Sequence, residues 1–185
     1  MLYPKQRIYN SIKKIIEMKK LLTTLALLLG AISAFSQIKW ISFEEAMNLS
    51  KQDGKPILID VYTDWCGWCK RLDATTYKDS AIIGYINEKF HAVKFNAETK
   101  ESIKYQDSVY VNKGKTHDLA LKLMNGQASY PTTIYIVPQK QIIAPIPGYQ
   151  TRDNIQPFLF YFGEAVYDMT TTWDCFLKGF NAPKL

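Results

Sequence analysis

The sequence predicts an α/β fold in which a central mixed β-sheet is flanked by helices. Three observations predict it. Pro56-Ile57-Leu58-Ile59-Asp60-Val61-Tyr62 is a nearly unbroken apolar run, as expected of a strand buried on both faces. A helical pattern and then a second strand, His91 to Phe95, follow it, and strand–helix–strand order implies parallel pairing. Thr132 to Val137 and Gln141 to Ala144 flank a Pro138-Gln139-Lys140 turn, which predicts an antiparallel hairpin.

The elements follow in chain order. Ser42-x-x-Glu45 is a capping box ahead of Ala46, Met47 and Leu49, and Gly54 stops that first helix. After the 57–62 strand, Cys66 opens a helix that carries Lys70, Arg71 and Leu72. Asp79 or Ser80 caps its continuation, with Ile82, Ile83 and Ile86 on one side. Asn96 to His117 is polar and less regular, with Val109-Tyr110-Val111 as a short strand running into Asn112-Lys113-Gly114. Asp118 caps a helix bearing Leu119, Leu121, Leu123 and Met124, stopped at Asn125-Gly126. Pro145, Pro147 and Gly148 break the chain after the hairpin, and a last core helix ends near Phe162, kinked or started by Pro157. Trp173, Phe176, Leu177 and Phe180 share one face of an extra C-terminal helix.

The N-terminus reads as an address. Met18-Lys19-Lys20, the apolar Leu21 to Ala31, and Ala34-Phe35-Ser36 have the basic, apolar and small-x-small parts of a secretory signal peptide. Residues 1–36 are therefore an extension and signal, with Met18 an alternative start, and residues 37–185 one domain. The apolar run is short of the roughly 20 residues a spanning helix needs, so the membrane enters only if the segment stays uncleaved. The formal charge of +6 sits mostly here, in Lys5, Arg7, Lys13, Lys14, Lys19 and Lys20 against Glu17. The remaining chain is nearly neutral and has no basic stripe, which argues against nucleic acid as a partner. Export places the protein in the periplasm or another extracytoplasmic space, where disulfides persist.

Three cysteines are too few to staple a scaffold. Cys66-Gly67-Trp68-Cys69 has the spacing of a disulfide that opens and closes. At a helix N-terminus the Cys66 sulfur is exposed, and unpaired N–H groups favour its thiolate. Cys69 lies one turn on, within disulfide reach and turned inward. Cys66 is then the nucleophile and Cys69 the resolving thiol. The alternatives are an inert disulfide or a zinc half-site. Zinc takes four ligands, and Cys175, His91 and His117 stand at no paired spacing, so no metal is expected. No nucleotide-binding fingerprint is present, and no cofactor is expected. Trp65 and Trp68 flank the pair as a platform for substrate, Trp68 being the better surface candidate. Cys175 lies nearly opposite the Trp173 face, which makes it an exposed, non-catalytic thiol or an intermolecular disulfide partner.

These residues resemble the thioredoxin family. Asp60-Val61-Tyr62-Thr63-Asp64-Trp65-Cys66-Gly67-Trp68-Cys69-Lys70 is similar to that family's strand-to-helix active-site segment, and its start is similar to the DsbD-type C-terminal domain. Tyr130-Pro131-Thr132 resembles the family's cis-proline loop, and Gly148 the glycine after its terminal hairpin. The resemblance implies a thioredoxin-like fold over Ile38 to Phe162. It implies a cis Pro131 facing the disulfide, and substrate contacts from Trp65, Gly67, Trp68, Tyr130 and Thr132. It also implies that Asp60 moves protons to and from Cys69, its acidity weakened by burial. Three departures bear on substrate choice: Gly-Trp replaces the frequent Gly-Pro between the cysteines, the stretch from Asn96 to Pro131 is longer by a helix or hairpin, and the tail after Phe162 is extra.

The expected activity is thiol–disulfide exchange on exported proteins. A neutral Trp68 offers no positive charge to stabilise a reduced thiolate, which favours a reductant supplied by a membrane electron donor. An oxidase or isomerase with the same pair, or a binding module without turnover, remains open on sequence alone.

Overall fold

A computed structural model describes residues 9–10, 12–21, 37–168 and 172–181. The chain divides into two compact units, 1–36 and 37–185. In the first, residues 12–21 are helical. Apart from Leu21, the apolar segment and cleavage motif of the predicted signal lie outside the described residues. No described helix is long and apolar enough to cross a membrane.

The second unit is built on a five-stranded sheet. Its strands are β1 (Trp40–Ile41), β2 (Ile57–Tyr62), β3 (His91–Asn96), β6 (Thr132–Val137) and β7 (Ile142–Pro147), in the order β1-β3-β2-β6-β7. β1–β3 and β3–β2 pair parallel; β2–β6 and β6–β7 pair antiparallel. The sheet is mixed, as expected. β4 (Ile103–Tyr105) and β5 (Ser108–Tyr110) form a separate hairpin. The helices are α1 (Phe43–Asp53), α2 (Gly67–Ala74), α3 (Ser80–Lys89), α4 (Asp118–Leu123), α5 (Arg152–Gly163) and α6 (Trp173–Gly179).

Period-2 alternation sorts the sheet into two cores. Ile57, Ile59 and Val61 of β2, Val93 and Phe95 of β3, and Ile134 and Ile136 of β6 face the layer of α1, α4 and the β4–β5 hairpin. Leu58, Ala92, Tyr135 and Val137 face the layer of α2, α3 and α5. Asp60 and Lys94 have the parity of Leu58 and Ala92, so both point to the α2 side, where they are register partners. That parity places a carboxylate beneath the redox helix.

The caps largely follow the sequence. Ser42 accepts from the Glu45 N–H, Asp79 from Ala81 and Ile82, and Gly54 closes α1 at φ 78°. The cap of α4 differs. It is His117, whose Nδ1 accepts from the Leu119 N–H, and Asp118 is the first helical residue. Pro145 and Pro147 do not break the chain; they lie inside β7. β7 is an edge strand, where a missing N–H costs no ladder bond. Pro157 lies within α5. α6 docks through its aromatic face, with Trp173 stacked on Phe158 at 4.6 Å and Phe176 at 5.3 Å from Tyr161. Cys175 is exposed.

Candidate active site

The redox pair sits at the seam between β2 and α2. β2 ends at Tyr62, and the Cys66 N–H closes a turn onto the Thr63 carbonyl at 3.2 Å. Cys66 is the N-cap of α2 in extended geometry, and its Sγ accepts from the Cys69 N–H at 3.1 Å. That bond and the helix N-terminus both favour negative charge on Cys66 sulfur. Cys66 and Cys69 are joined as a disulfide with Cα atoms 5.3 Å apart. The expected exposure of Cys66 is corrected: it is 5% accessible and Cys69 2%. As an N-cap, its sulfur folds back over the first turn, where the Cys69 N–H and Cys69 sulfur hold it.

Exposure passes instead to the flanking rings. Trp65 is 67% and Trp68 59% exposed, so both indoles, not Trp68 above all, form the surface. Trp65 donates Nε1–H to Glu98 Oε1 at 3.1 Å and meets Tyr130 edge-to-face at 5.8 Å. On the other flank Trp68 lies 5.5 Å from Tyr149. The Arg71 guanidinium stands 5.9 Å from the Trp68 centroid and 6.0 Å from that of Tyr149, within cation–π range. Gly67 opens α2 on the surface, with nothing near where a Cβ would stand.

The Tyr130–Pro131 bond is cis. The Pro131 carbonyl accepts from the Gly148 N–H at 2.8 Å, which ties the two loops together, and Gly148 has φ 95°, a conformation suited to glycine. The Thr132 side chain is buried and donates to the Ser129 carbonyl at 2.8 Å. It holds the loop and does not reach outward.

Beneath the pair the chemistry changes. Asp60 is fully buried on β2, with Oδ2 2.5 Å from Lys94 Nζ. Its Oδ1 has no hydrogen-bond partner among the described residues. Burial pushes its acidity to about 6, although Lys94 pulls in the opposite direction. Lys94 Nζ also bonds Asp73, on the α2 face one turn beyond Cys69. The rings of Tyr62, Trp40 and Tyr77 surround it at 5.0, 5.4 and 5.6 Å. Desolvation works against the Lys94 charge, but the two carboxylates outweigh it and hold the ammonium above its ordinary pKa.

Lys94, Asp73, Glu98, Arg71 and Tyr149 are the members that reading the sequence missed. Lys94 left a trace as the one charged side chain in the apolar His91 to Phe95 run, but only register puts it on Asp60. The other titratable candidates have separate places. His117 caps α4 and reaches the Glu101 carbonyl through Nε2 at 3.0 Å; His91 pairs with Asp53. No cluster of metal-binding side chains forms among the described residues.

A mixed sheet of this order, a cysteine pair opening the helix after a buried strand, and a cis-proline loop tied to the following glycine together define a thioredoxin-like protein with a site of the disulfide-exchange type. The chain belongs to the Thioredox_DsbH family, described as "Protein of unknown function, DUF255", whose model matches residues 26–173. The disulfide bond reductase DsbH of Chlamydia pneumoniae is 32% identical over 68 residues, 36% of this chain and 41% of that protein. The thiol:disulfide interchange protein DsbD of Yersinia enterocolitica is 30% identical over 60 residues, 29% of this chain and 10% of that protein. These matches span less than half of either relative. The fold is similar to that of a thioredoxin from Thermus thermophilus, with TM-score 0.53 and 16% identity over 71% of this chain and 88% of that one.

Proposed function

We propose that this protein is an exported thiol–disulfide oxidoreductase that reduces disulfides of other exported proteins. One observation carries the reading: a cysteine pair in which the Cys69 N–H supports the Cys66 sulfur, at the head of a helix that covers the fully buried Asp60 carboxyl, pushed up to about 6 by burial.

The exchange runs through two successive thiolate attacks. In the reduced protein the Cys66 thiolate attacks one sulfur of a substrate disulfide. The substrate S–S bond breaks, its second sulfur leaves as a thiolate and takes a proton, and a mixed disulfide forms. Asp60 takes the Cys69 proton. The Cys69 thiolate then attacks Cys66 Sγ, the bond from Cys66 to the substrate sulfur breaks, that sulfur leaves as a thiolate and is protonated as Asp60 gives up its proton, and the Cys66–Cys69 bond is restored. Two electrons pass to substrate, and a membrane reductase returns them. Trp65, Gly67, Trp68 and the Tyr130–Pro131 loop bind the substrate segment around this exchange, and Thr132 holds that loop from inside.

The reductive direction draws support from the neutral Trp68 between the cysteines and from a relative whose name is disulfide bond reductase. The extracytoplasmic location draws support from the basic, apolar and small-residue pattern of residues 18–36, which we propose is removed from the 37–185 domain. The test is the equilibrium potential of the Cys66–Cys69 pair in glutathione and dithiothreitol buffers. A value near about −270 mV supports the reductant; about −120 to −180 mV assigns an oxidase or isomerase instead.

A further inference from the structure

The segment between β3 and Pro131 builds a groove of about 690 Å³ that reaches Trp65, the residue before Cys66. Trp65 and Tyr130 form one wall. Lys100 from the turn after β3, joined to Gly114, Lys115 and Thr116 from the loop before α4, forms the other, and Glu98 lies next to Trp65.

The groove is held in shape by its own hydrogen bonds. Thr116 Oγ1 and Tyr130 OH lie 3.0 Å apart and tie wall to wall. Trp65 Nε1 donates to Glu98. Asn112 Nδ2 donates to the Glu98 and Thr99 carbonyls, and Lys100 Nζ to the Gly114 carbonyl at 3.2 Å. A preformed groove loses little entropy when it is filled.

Its charge is uneven. The carboxylate of Glu98 stands next to Trp65, at the disulfide end, and is engaged by the indole. The ammonium groups of Lys100 and Lys115 both belong to the Gly114 side. Both lysines are exposed, and neither makes an ion pair among the described residues. An occupant that lays apolar surface on Trp65 and Tyr130 therefore meets uncompensated positive charge further along.

We propose that this groove docks an extended segment of the substrate protein and selects segments carrying an acidic residue a few positions from the reacting cysteine. The proposal rests on the disulfide-exchange reading of Cys66–Cys69 and adds the class of substrate it takes. Peptide carboxylate is the complementary chemistry: it pairs with Lys100 and Lys115, and it is repelled from the Glu98 end, which sets the direction of the bound segment.

The experiment uses the reduced full-length chain and two disulfide-bridged peptides. They differ only in carrying Glu or Lys a few residues from one cysteine. Single-turnover reduction is followed by tryptophan fluorescence, with hydroxyethyl disulfide as a small probe. The expected result is reduction of the Glu peptide about five- to tenfold faster than the Lys peptide, a preference that fades in high salt. In a Lys100→Glu/Lys115→Glu protein the preference reverses, and in Lys115→Gln it shrinks. Equal rates for the two peptides overturn the proposal and leave the exchange reading standing. A preference that survives the double reversal also overturns it, since it then belongs to the charge of the whole molecule. Failure to reduce any peptide or the small disulfide overturns the exchange reading, and the proposal with it.

Discussion

Cys66 and Cys69 share one bond, yet the two sides of that bond are made of different materials. The open side is aromatic and exposed: Trp65 and Trp68 stand in solvent, braced by Tyr130 and Tyr149, with Glu98 on one indole and Arg71 on the other. The closed side is charged: Asp60 lies buried under α2, held by a Lys94 that also holds the part-exposed Asp73. Under the proposed exchange reaction, the difference assigns recognition to one side and proton transfer to the other. Recognition needs accessible apolar surface with little desolvation cost. Proton transfer needs a carboxyl whose affinity for protons has been raised by taking it out of water.

Changes at the bond itself test the comparison most severely. Cys66→Ser should reduce exchange on a protein disulfide to background. Cys69→Ser should instead trap the mixed disulfide, visible as a covalent adduct by mass spectrometry. An adduct in the Cys66→Ser protein and none in Cys69→Ser would invert the two roles.

The closed side comes next. Asp60→Asn should slow release of the resolved product by about 10²-fold and remove an inflection near pH 6 from the rate profile. Its effect on stability has the opposite sign. The folded carboxyl titrates near 6 against an ordinary 3.8, so its charge opposes folding above about pH 6, and that opposition fades as pH falls toward 4. Thermal unfolding of the oxidised protein should show Asp60→Asn more stable at pH 7 by about 1–3 kcal/mol, with the difference gone near pH 4. A variant less stable at pH 7 would mean that the Lys94 pair stabilises more than burial costs.

The open side should respond to substrate and hardly to unfolding. Trp65→Ala and Trp68→Ala should each lower kcat/KM for a protein disulfide by up to about tenfold, while stability falls by about 1 kcal/mol or less. A loss of several kcal/mol would show that the rings are structural. Cys175→Ser should be the smallest change, within about 0.5 kcal/mol in unfolding and without effect on exchange, because the thiol is exposed on α6.

Much of this architecture was legible beforehand. β2 and β6 match the apolar and β-branched runs that announced them, and α1 and α3 start at the caps their sequences advertise. The short pieces were not legible. β1 has two residues and β4 three, too few for a period to register. Pro145 and Pro147 read as breakers because edge position, which makes them harmless, is a property of the sheet. His117 reads in sequence as a stray metal candidate, whereas it is a buried helix cap, because its ring meets the Leu119 N–H only once α4 has formed.

The sequence by itself determined the chemistry of the bond: two cysteines at helix spacing after a buried strand, with an aspartate six residues upstream. Local spacing decides such features, because a helix turn and a strand alternation are set within a few residues. Only the tertiary structure decided what surrounds the bond. Lys94 reaches Asp60 through parallel strand register, Glu98 reaches Trp65 because β2 and β3 end side by side, and Tyr149 meets Trp68 from beyond the hairpin. Those contacts join residues far apart in sequence, and pattern within a window carries no trace of which distant partner the packed sheet will deliver.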